Sequence, residues 1–307
     1  MRKIKKYHGV IPPIITPVDE HENVDEQGFR ALIDHCIDSG VHGMFVGGTN
    51  GETMALTAAE RDRAIKIAVD QCRGRVPVMC GVMDCSTRRV VDNIKRMQDL
   101  GGDCAVITNV FYARHNTQAE TIRHFEKIAN ETDCDLVLYN IPPFTGMKIE
   151  VPTVLEICKI DKVKAYKDSS GVFEDYLKVL RRLENTDISV LQGMNPYFVS
   201  SVLLGGDGTV PAAAPVFPEI YVEAYDAGVA GDIELCKKYE VIIEEIGRML
   251  AMSKNNMAVN KFAASTLGFT DKRVISPFEP ITPDEEKNVL LQMEKIRRMH
   301  AELKASL

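Results

Sequence analysis

No stretch of roughly 18 or more apolar residues occurs in the 307-residue sequence, so a membrane-spanning helix is excluded, and the start of the chain lacks the apolar core of a secretion signal. A cytoplasmic location is expected. There is no Cys-x-x-Cys pair and no Cys/His cluster at zinc-ligand spacing: cysteines 36, 72, 80, 85, 104, 134, 158 and 236 are scattered, several inside apolar patterns where reduced thiols pack as small hydrophobes. The spacing argues against a metal centre and against disulfides. Low-complexity tracts are missing too, and with 45% hydrophobic and 26% charged residues the chain reads as globular rather than disordered. Its charge of −7 comes from 44 acidic and 37 basic residues spread along the chain, which leaves no electrostatic footprint for nucleic acid. The short basic start, with Arg2, Lys3, Lys5 and Lys6, reads as a solvated tail.

What is present is a rhythm. Short apolar runs bounded by Gly and Pro alternate with longer amphipathic stretches, the pattern of a parallel sheet covered by helices. Strands are predicted at Val10–Ile15, Gly43–Val46, Val76–Val82, Cys104–Thr108, Leu136–Tyr139, Val163–Lys167, Ser189–Gln192 and Gly208–Val210. Helix ends are marked between them. Thr57 with Glu60, and Thr117 with Glu120, have capping-box spacing. Helices over 25–39 and 87–100 should stop at Gly40 and Gly101, and Pro152 and Pro196 sit where helices would begin.

Eight strand–helix units within about 230 residues fit an α/β fold of the (β/α)8 TIM-barrel type, for which roughly 250 residues is typical. A doubly wound open sheet ranks lower, because no Gly-x-Gly-x-x-Gly follows the first strand. Residues 1–230 are expected to form the barrel carrying the active site. Residues 231–307 read as helices only, an appended segment with a hinge at Pro277, Pro280 and Pro283.

Chemistry on such a barrel belongs at the C-terminal ends of the strands. Three loops converge there. Lys167 closes an apolar run and is followed by Asp168, Ser169, Ser170 and Gly171. A lysine closing a buried strand is desolvated, which favours the neutral, nucleophilic amine, although alone it could equally snorkel to a surface partner. The second strand delivers Gly47, Gly48, Thr49, Asn50, Gly51 and Glu52, either a plain turn or a cradle whose hydroxyl and amide meet a carboxylate. The fifth delivers Tyr139, either a packed aromatic or a proton carrier for an imine. The stretch Gly205–Thr209 could be a barrel phosphate site, but Asp207 without a nearby Lys or Arg favours a tight turn.

The strings Gly48 to Glu52, Tyr139-Asn140-x-Pro142 with Thr145 and Gly146, and Lys167 to Gly171, preceded by Gly9-x-x-Pro12-Pro13-x-x-Thr16-Pro17, together resemble the dihydrodipicolinate synthase/N-acetylneuraminate lyase family over nearly the whole chain. The resemblance implies a class I, Schiff-base lyase or aldolase on a (β/α)8 barrel, usually a homotetramer, acting on pyruvate or another 2-oxo acid without a cofactor. By matching position Lys167 would form the imine, Tyr139 would shuttle protons, Thr49 would hold the substrate carboxylate and link to Tyr139, and Tyr112 would be lent to a neighbouring subunit's site, although Val110 replaces the usual proline before it. Gly48, Asn50, Phe144, Ser169, Gly193 and Val210 would contact substrate.

Departures from the family pattern bear on the substrate. Phe144 stands where the lysine-pathway synthases carry an arginine for aspartate semialdehyde, and Asn50 where they carry a second threonine. Asn195 and Pro196 replace the acidic pair by which sialate lyases hold a polyol tail, and Cys85 and Arg89 alter the expected lysine feedback site. The resemblance then favours retro-aldol cleavage or dehydration of a 2-keto-3-deoxy or 4-hydroxy-2-oxo acid. Two alternatives stay open: condensation of pyruvate with aspartate semialdehyde by a 4-hydroxy-tetrahydrodipicolinate synthase, and a barrel that binds 2-oxo acids without turnover.

Overall fold

The computed structural model describes residues 4–307. Its strands are β1 Gly9–Val10, β2 Met44–Val46, β3 Val78–Gly81, β4 Cys104–Ile107, β5 Asp135–Asn140, β6 Val163–Asp168, β7 Ser189–Gln192 and β8 Gly208–Thr209. All seven ladders are parallel, in the order β1-β8-β7-β6-β5-β4-β3-β2. Closure comes from the two prolines after β1. Phe45 N donates to Pro12 O and Ile14 N donates to Phe45 O, both at 2.9 Å, and Pro13 bridges Phe45 in parallel. The prolines have no N–H to give, so the predicted strand Val10–Ile15 survives as two residues plus this bridge. The eight strands form the predicted (β/α)8 barrel.

Side chains alternate between two layers, as the two-residue strand period requires. Cys104 and Val106 of β4, Val137 and Tyr139 of β5, Ala165 of β6 and Leu191 of β7 face the barrel interior. Their neighbours Ala105, Ile107, Leu136, Leu138, Tyr166 and Val190 face the helices. Lys167, two residues after Ala165, is in phase with the interior set, and Asp168 with the outer one.

The covering helices are α1 Glu26–Asp38, α2 Ala58–Cys72, α3 Thr87–Asp99, α4 Gln118–Glu131, the short α5 Pro142–Thr145, α6 Val151–Ile157, α7 Phe173–Leu183, α8 Phe198–Leu203 and α9 Pro218–Ala230. Gly40 and Gly101 take positive φ values, 86° and 90°, past the ends of α1 and α3. The capping box at Thr117 is complete, with Glu120 Oε2 accepting from Thr117 N at 3.0 Å. The one expected at Thr57 is half made: Thr57 caps Glu60 N, but the Glu60 carboxylate accepts from Val24 N at 2.6 Å, tying α2 to the loop after β1.

The basic start is not a solvated tail. Arg2 and Lys3 lie outside the described residues, but Lys5 is buried, its Nζ donating to Ile188 O at 2.7 Å and Asp207 Oδ2 at 3.1 Å. Lys6 pairs with Asp135 at 2.8 Å. The cause is Tyr7, which is fully buried within the barrel interior and draws its neighbours against the N-terminal end of the strands. Lys5 is thus the cation near Asp207 that the sequence did not reveal, and it is consumed by that carboxylate.

After α9 the chain continues as α10 Ile233–Leu250, α11 Asn256–Ser265 and α12 Pro283–Ala305. One apolar cluster runs from the barrel's outer layer through Ile242 and Ile246 of α10 to Val289 and Ile296 of α12. Pro283 lies in the first turn of α12, capped by Thr282, so that the expected hinge residue is a helix start. Among the described residues no helix is long and apolar enough to cross a membrane.

Candidate active site

Tyr139 and Lys167 are register partners on adjacent strands, so both side chains leave the same level of the barrel and meet. Lys167 Nζ lies 4.0 Å from the Tyr139 ring centroid and 4.8 Å from that of Phe45. Lys167 is 3% exposed, and burial pushes its pKa down to about 7. Ring faces favour the cation while burial opposes it, so neutral and protonated forms coexist near neutral pH. Phe45, the second ring, carried no signal in the sequence beyond strand periodicity.

Burial raises the Tyr139 phenol above its ordinary range, with a smaller push from the Asp168 charge. Ser169 Oγ donates to its hydroxyl at 3.3 Å. Ser169 is held in turn by its own N–H, which donates to Asn140 O at 2.8 Å, and Gly193 N donates to Asp168 O at 2.8 Å. Gly193 is glycine for a spatial reason: a Cβ there would stand 2.1 Å from Ser169 Oγ and 3.1 Å from Lys167 Cε.

Asp168 points to the outer layer, away from the amine. Tyr166 Oη and Asn140 Nδ2 donate to its Oδ1 at 2.8 and 3.1 Å, and Ser170 Oγ to its Oδ2 at 3.0 Å. Burial raises its pKa despite these donors. The carboxylate therefore clamps the ends of β5 and β6, a role in positioning that the motif alone did not show.

The β2 rim turns through Gly47, at φ 71°, into a single 3-10 turn, Thr49–Gly51. Gly48 lies over the Phe45 ring, where a Cβ would come within 2.8 Å of a ring carbon. Thr49 lines the cavity above Tyr139. Asn50 corrects an expectation. Its side chain does not offer an amide to substrate: Nδ2 donates to Pro13 O at 2.6 Å and Ala212 O at 3.1 Å, and Oδ1 accepts from Asn260 Nδ2 at 2.9 Å. Its polar groups are spent tying the loops after β1, β2 and β8 to α11.

Beside it Glu52 and Lys261 of α11 form an ion pair in which both side chains are almost wholly buried. The other Glu52 oxygen accepts from Ile275 N at 3.0 Å. Burial lowers the Lys261 pKa, and Glu52 partly restores it. Neither partner could be matched from local sequence, since nothing near Glu52 points to a helix some 200 residues on.

A cavity of about 540 Å³ opens at this end of the barrel, with Thr49, Tyr139, Thr108 and Phe144 on its wall. Lys167 is not on the wall; Tyr139, whose ring it touches, is. Phe144 is 63% exposed at the mouth. Val210 also departs from expectation, being buried among Leu191 and Ala165 in the interior rather than on this wall. Gly193 faces a second cavity of about 690 Å³ shared with Asn195, Pro196 and Arg248. Tyr112 is 99% exposed, with φ 67°, and does not reach the site of its own chain. At the expected feedback position Arg89 Nε pairs with Asp84 at 2.5 Å while Cys85 is exposed. Among the described residues no three His, Cys, Asp or Glu side chains group as metal ligands.

A model of the dihydrodipicolinate synthetase family matches residues 6–296. The chain belongs to this family. It is 31% identical to a 4-hydroxy-tetrahydrodipicolinate synthase of Methanopyrus kandleri, over 94% of this chain and 96% of that one. Among solved structures it matches the dihydrodipicolinate synthase of Bacteroides thetaiotaomicron with a TM-score of 0.90 at 29% identity, covering 95% of this chain and 99% of the other. It matches YagE, a prophage protein of E. coli K12 solved in complex with pyruvate, with a TM-score of 0.89 at 26% identity, covering 95% and 99%. Dihydrodipicolinate synthetase family members are class I, pyruvate-dependent lyases and aldolases, and this chain is accordingly an enzyme of the lyase type.

Proposed function

We propose that the protein cleaves or dehydrates a 4-hydroxy-2-oxo or 2-keto-3-deoxy acid through an imine on Lys167. The observation that carries this reading is the amine itself, buried with no counter-ion among the described residues, half neutral near pH 7, and packed on the ring of a buried phenol. A barrel that only bound 2-oxo acids would have no use for a lysine held at such a cost.

The steps balance without an outside reagent. Neutral Lys167 adds to the C2 carbonyl and water leaves, giving a protonated imine that serves as an electron sink. In cleavage the C4 hydroxyl gives up its proton, the C3–C4 bond breaks with its electron pair moving into the imine as an enamine, and C4 departs as an aldehyde. C3 then takes a proton and water releases pyruvate. In dehydration C3 loses a proton to the enamine, which expels the hydroxyl on C4. Tyr139 relays protons in imine formation and hydrolysis, with Ser169 donating to its oxygen and the Thr49 hydroxyl near the substrate carboxylate.

Tyr112 would complete the relay in a homotetramer. Its full exposure and left-handed backbone, unusual for a bulky residue, fit a side chain held out for a neighbour. The synthase names of relatives keep condensation with aspartate semialdehyde as a second reading, but the cavity wall carries Phe144 in place of a cation.

Incubation with pyruvate and borohydride tests the reading: a reduced adduct mapped to Lys167 by mass supports it, and no adduct, or one elsewhere, overturns it.

A further inference from the structure

Beyond Tyr139 the cavity wall is chiefly carbon and sulfur. Met54 follows β2, Met83 β3, Phe111 β4 and Phe144 β5, while Met257 and Phe278 come from the C-terminal segment. Most polar wall residues are already committed. Thr145 Oγ1 donates to Ile141 O and Met147 O at 3.2 and 3.1 Å, Thr108 Oγ1 donates to Asn109 O at 2.8 Å, and Glu52 is held by Lys261 and Ile275 N. The Ser276 side chain hydrogen-bonds the Glu22 carboxylate, so the hydroxyls left for a ligand are those of Thr49 and Thr53. Among the described residues no Lys, Arg or His stands on the wall. Arg114 is near the mouth, but its Nη1 donates to Gly146 O at 3.2 Å and it is off the wall.

Pyruvate alone would leave most of a cavity of about 540 Å³ empty. The rest must receive the C4 substituent. A polyol tail would lay hydroxyls against methionine and phenylalanine with too few partners, and each unpaired hydroxyl opposes binding. A carboxylate tail would lose its hydration and meet no cation. An alkyl or aryl group gains from burial, from ring packing and from sulfur–aromatic contacts. Resting on the Schiff-base reading, we infer that the acid cleaved carries an uncharged apolar substituent at C4, so that the product beside pyruvate is an alkyl or aryl aldehyde.

The test uses the full chain and three 4-hydroxy-2-oxo acids that share the acid end and differ at C4: phenyl, trihydroxypropyl and carboxyl. Pyruvate release is followed with lactate dehydrogenase. The phenyl acid is expected to exceed each of the others in kcat/KM by roughly 10- to 100-fold, the worth of burying one such group. Phe144→Arg should raise kcat/KM for the carboxyl acid at least about tenfold, as a new cation on the wall would. Equal or better turnover of the polar acids by an enzyme that pyruvate and borohydride still label at Lys167 overturns the inference and leaves the Schiff-base reading standing. Absence of both label and turnover overturns the two together. No gain for the carboxyl acid in Phe144→Arg also counts against it, since wall chemistry would then not set the choice.

Discussion

As the proposed nucleophile Lys167 must be neutral to attack, and it sits where burial alone lowers its pKa to about 7. Below that value the neutral fraction falls about tenfold per pH unit, so kcat/KM should rise with pH up to about 7 and then level off. Tyr139, raised rather than lowered by burial, contributes no falling limb in that window. A flat pH profile between 5.5 and 8 would contradict the assignment. The same shift costs stability. The unfolded amine keeps its proton up to about 10.4, so below pH 7 the folded chain carries the whole cost of a buried cation, and the cost fades as pH rises towards the unfolded pKa. Lys167→Met should therefore abolish turnover and raise Tm by roughly 5 °C or more at pH 6, with the gain shrinking at pH 9.5. Calorimetry at the two pH values checks this. Tyr139→Phe is expected to slow turnover by roughly 10²- to 10⁴-fold, the usual range for lost acid–base help, while borohydride still labels Lys167.

Among the elements, α11 ties the appended helices to the catalytic rim. Asn260 holds Asn50, and Lys261 meets Glu52 where neither is in water. Lys261→Met leaves the Glu52 carboxylate buried without its cation and should cost about 3–5 kcal/mol, whereas adding Glu52→Gln should recover much of the loss, because a buried ion pair is weakly stabilising against neutral replacements. Urea denaturation of the single and double variants measures both. If the double variant were as unstable as the single, the loss would lie in packing and not in charge. This tie was not legible in the sequence, and the reason is physical. Strand phase is a local property, so Lys167 and Tyr139 could be placed on one rim from short apolar runs and their breakpoints. The partners of Asn50 and Glu52 are fixed by how α11 packs over the barrel mouth, which no periodicity near residue 50 encodes. The sequence points Asn50 at substrate for that reason, and it leaves Lys5 solvated because its counter-charge, Asp207, stands just before β8, some 200 residues on in the chain.

Over the whole molecule, one bulky side chain stands apart from its own chain: Tyr112 extends into solvent on a left-handed backbone, 99% exposed. A bulky side chain in such a conformation stores strain that the surrounding structure must offset, and packing within its own chain does not do so. Were Tyr112 to serve a neighbouring subunit, activity would require two chains to contribute to each centre. Lys167→Ala and Tyr112→Ala homo-oligomers should then each be impaired, the first completely and the second by roughly 10-fold or more, as for a lost contributor to proton transfer. Mixed after dissociation and reassociation, they form some centres that pair an intact Lys167 with a tyrosine lent by the Lys167→Ala chain. Activity per Lys167-bearing chain should rise above that of Tyr112→Ala alone. If mixing restores nothing while mass measurement shows that hybrids have formed, each chain works with its own residues only, and Tyr112 has no part in the relay.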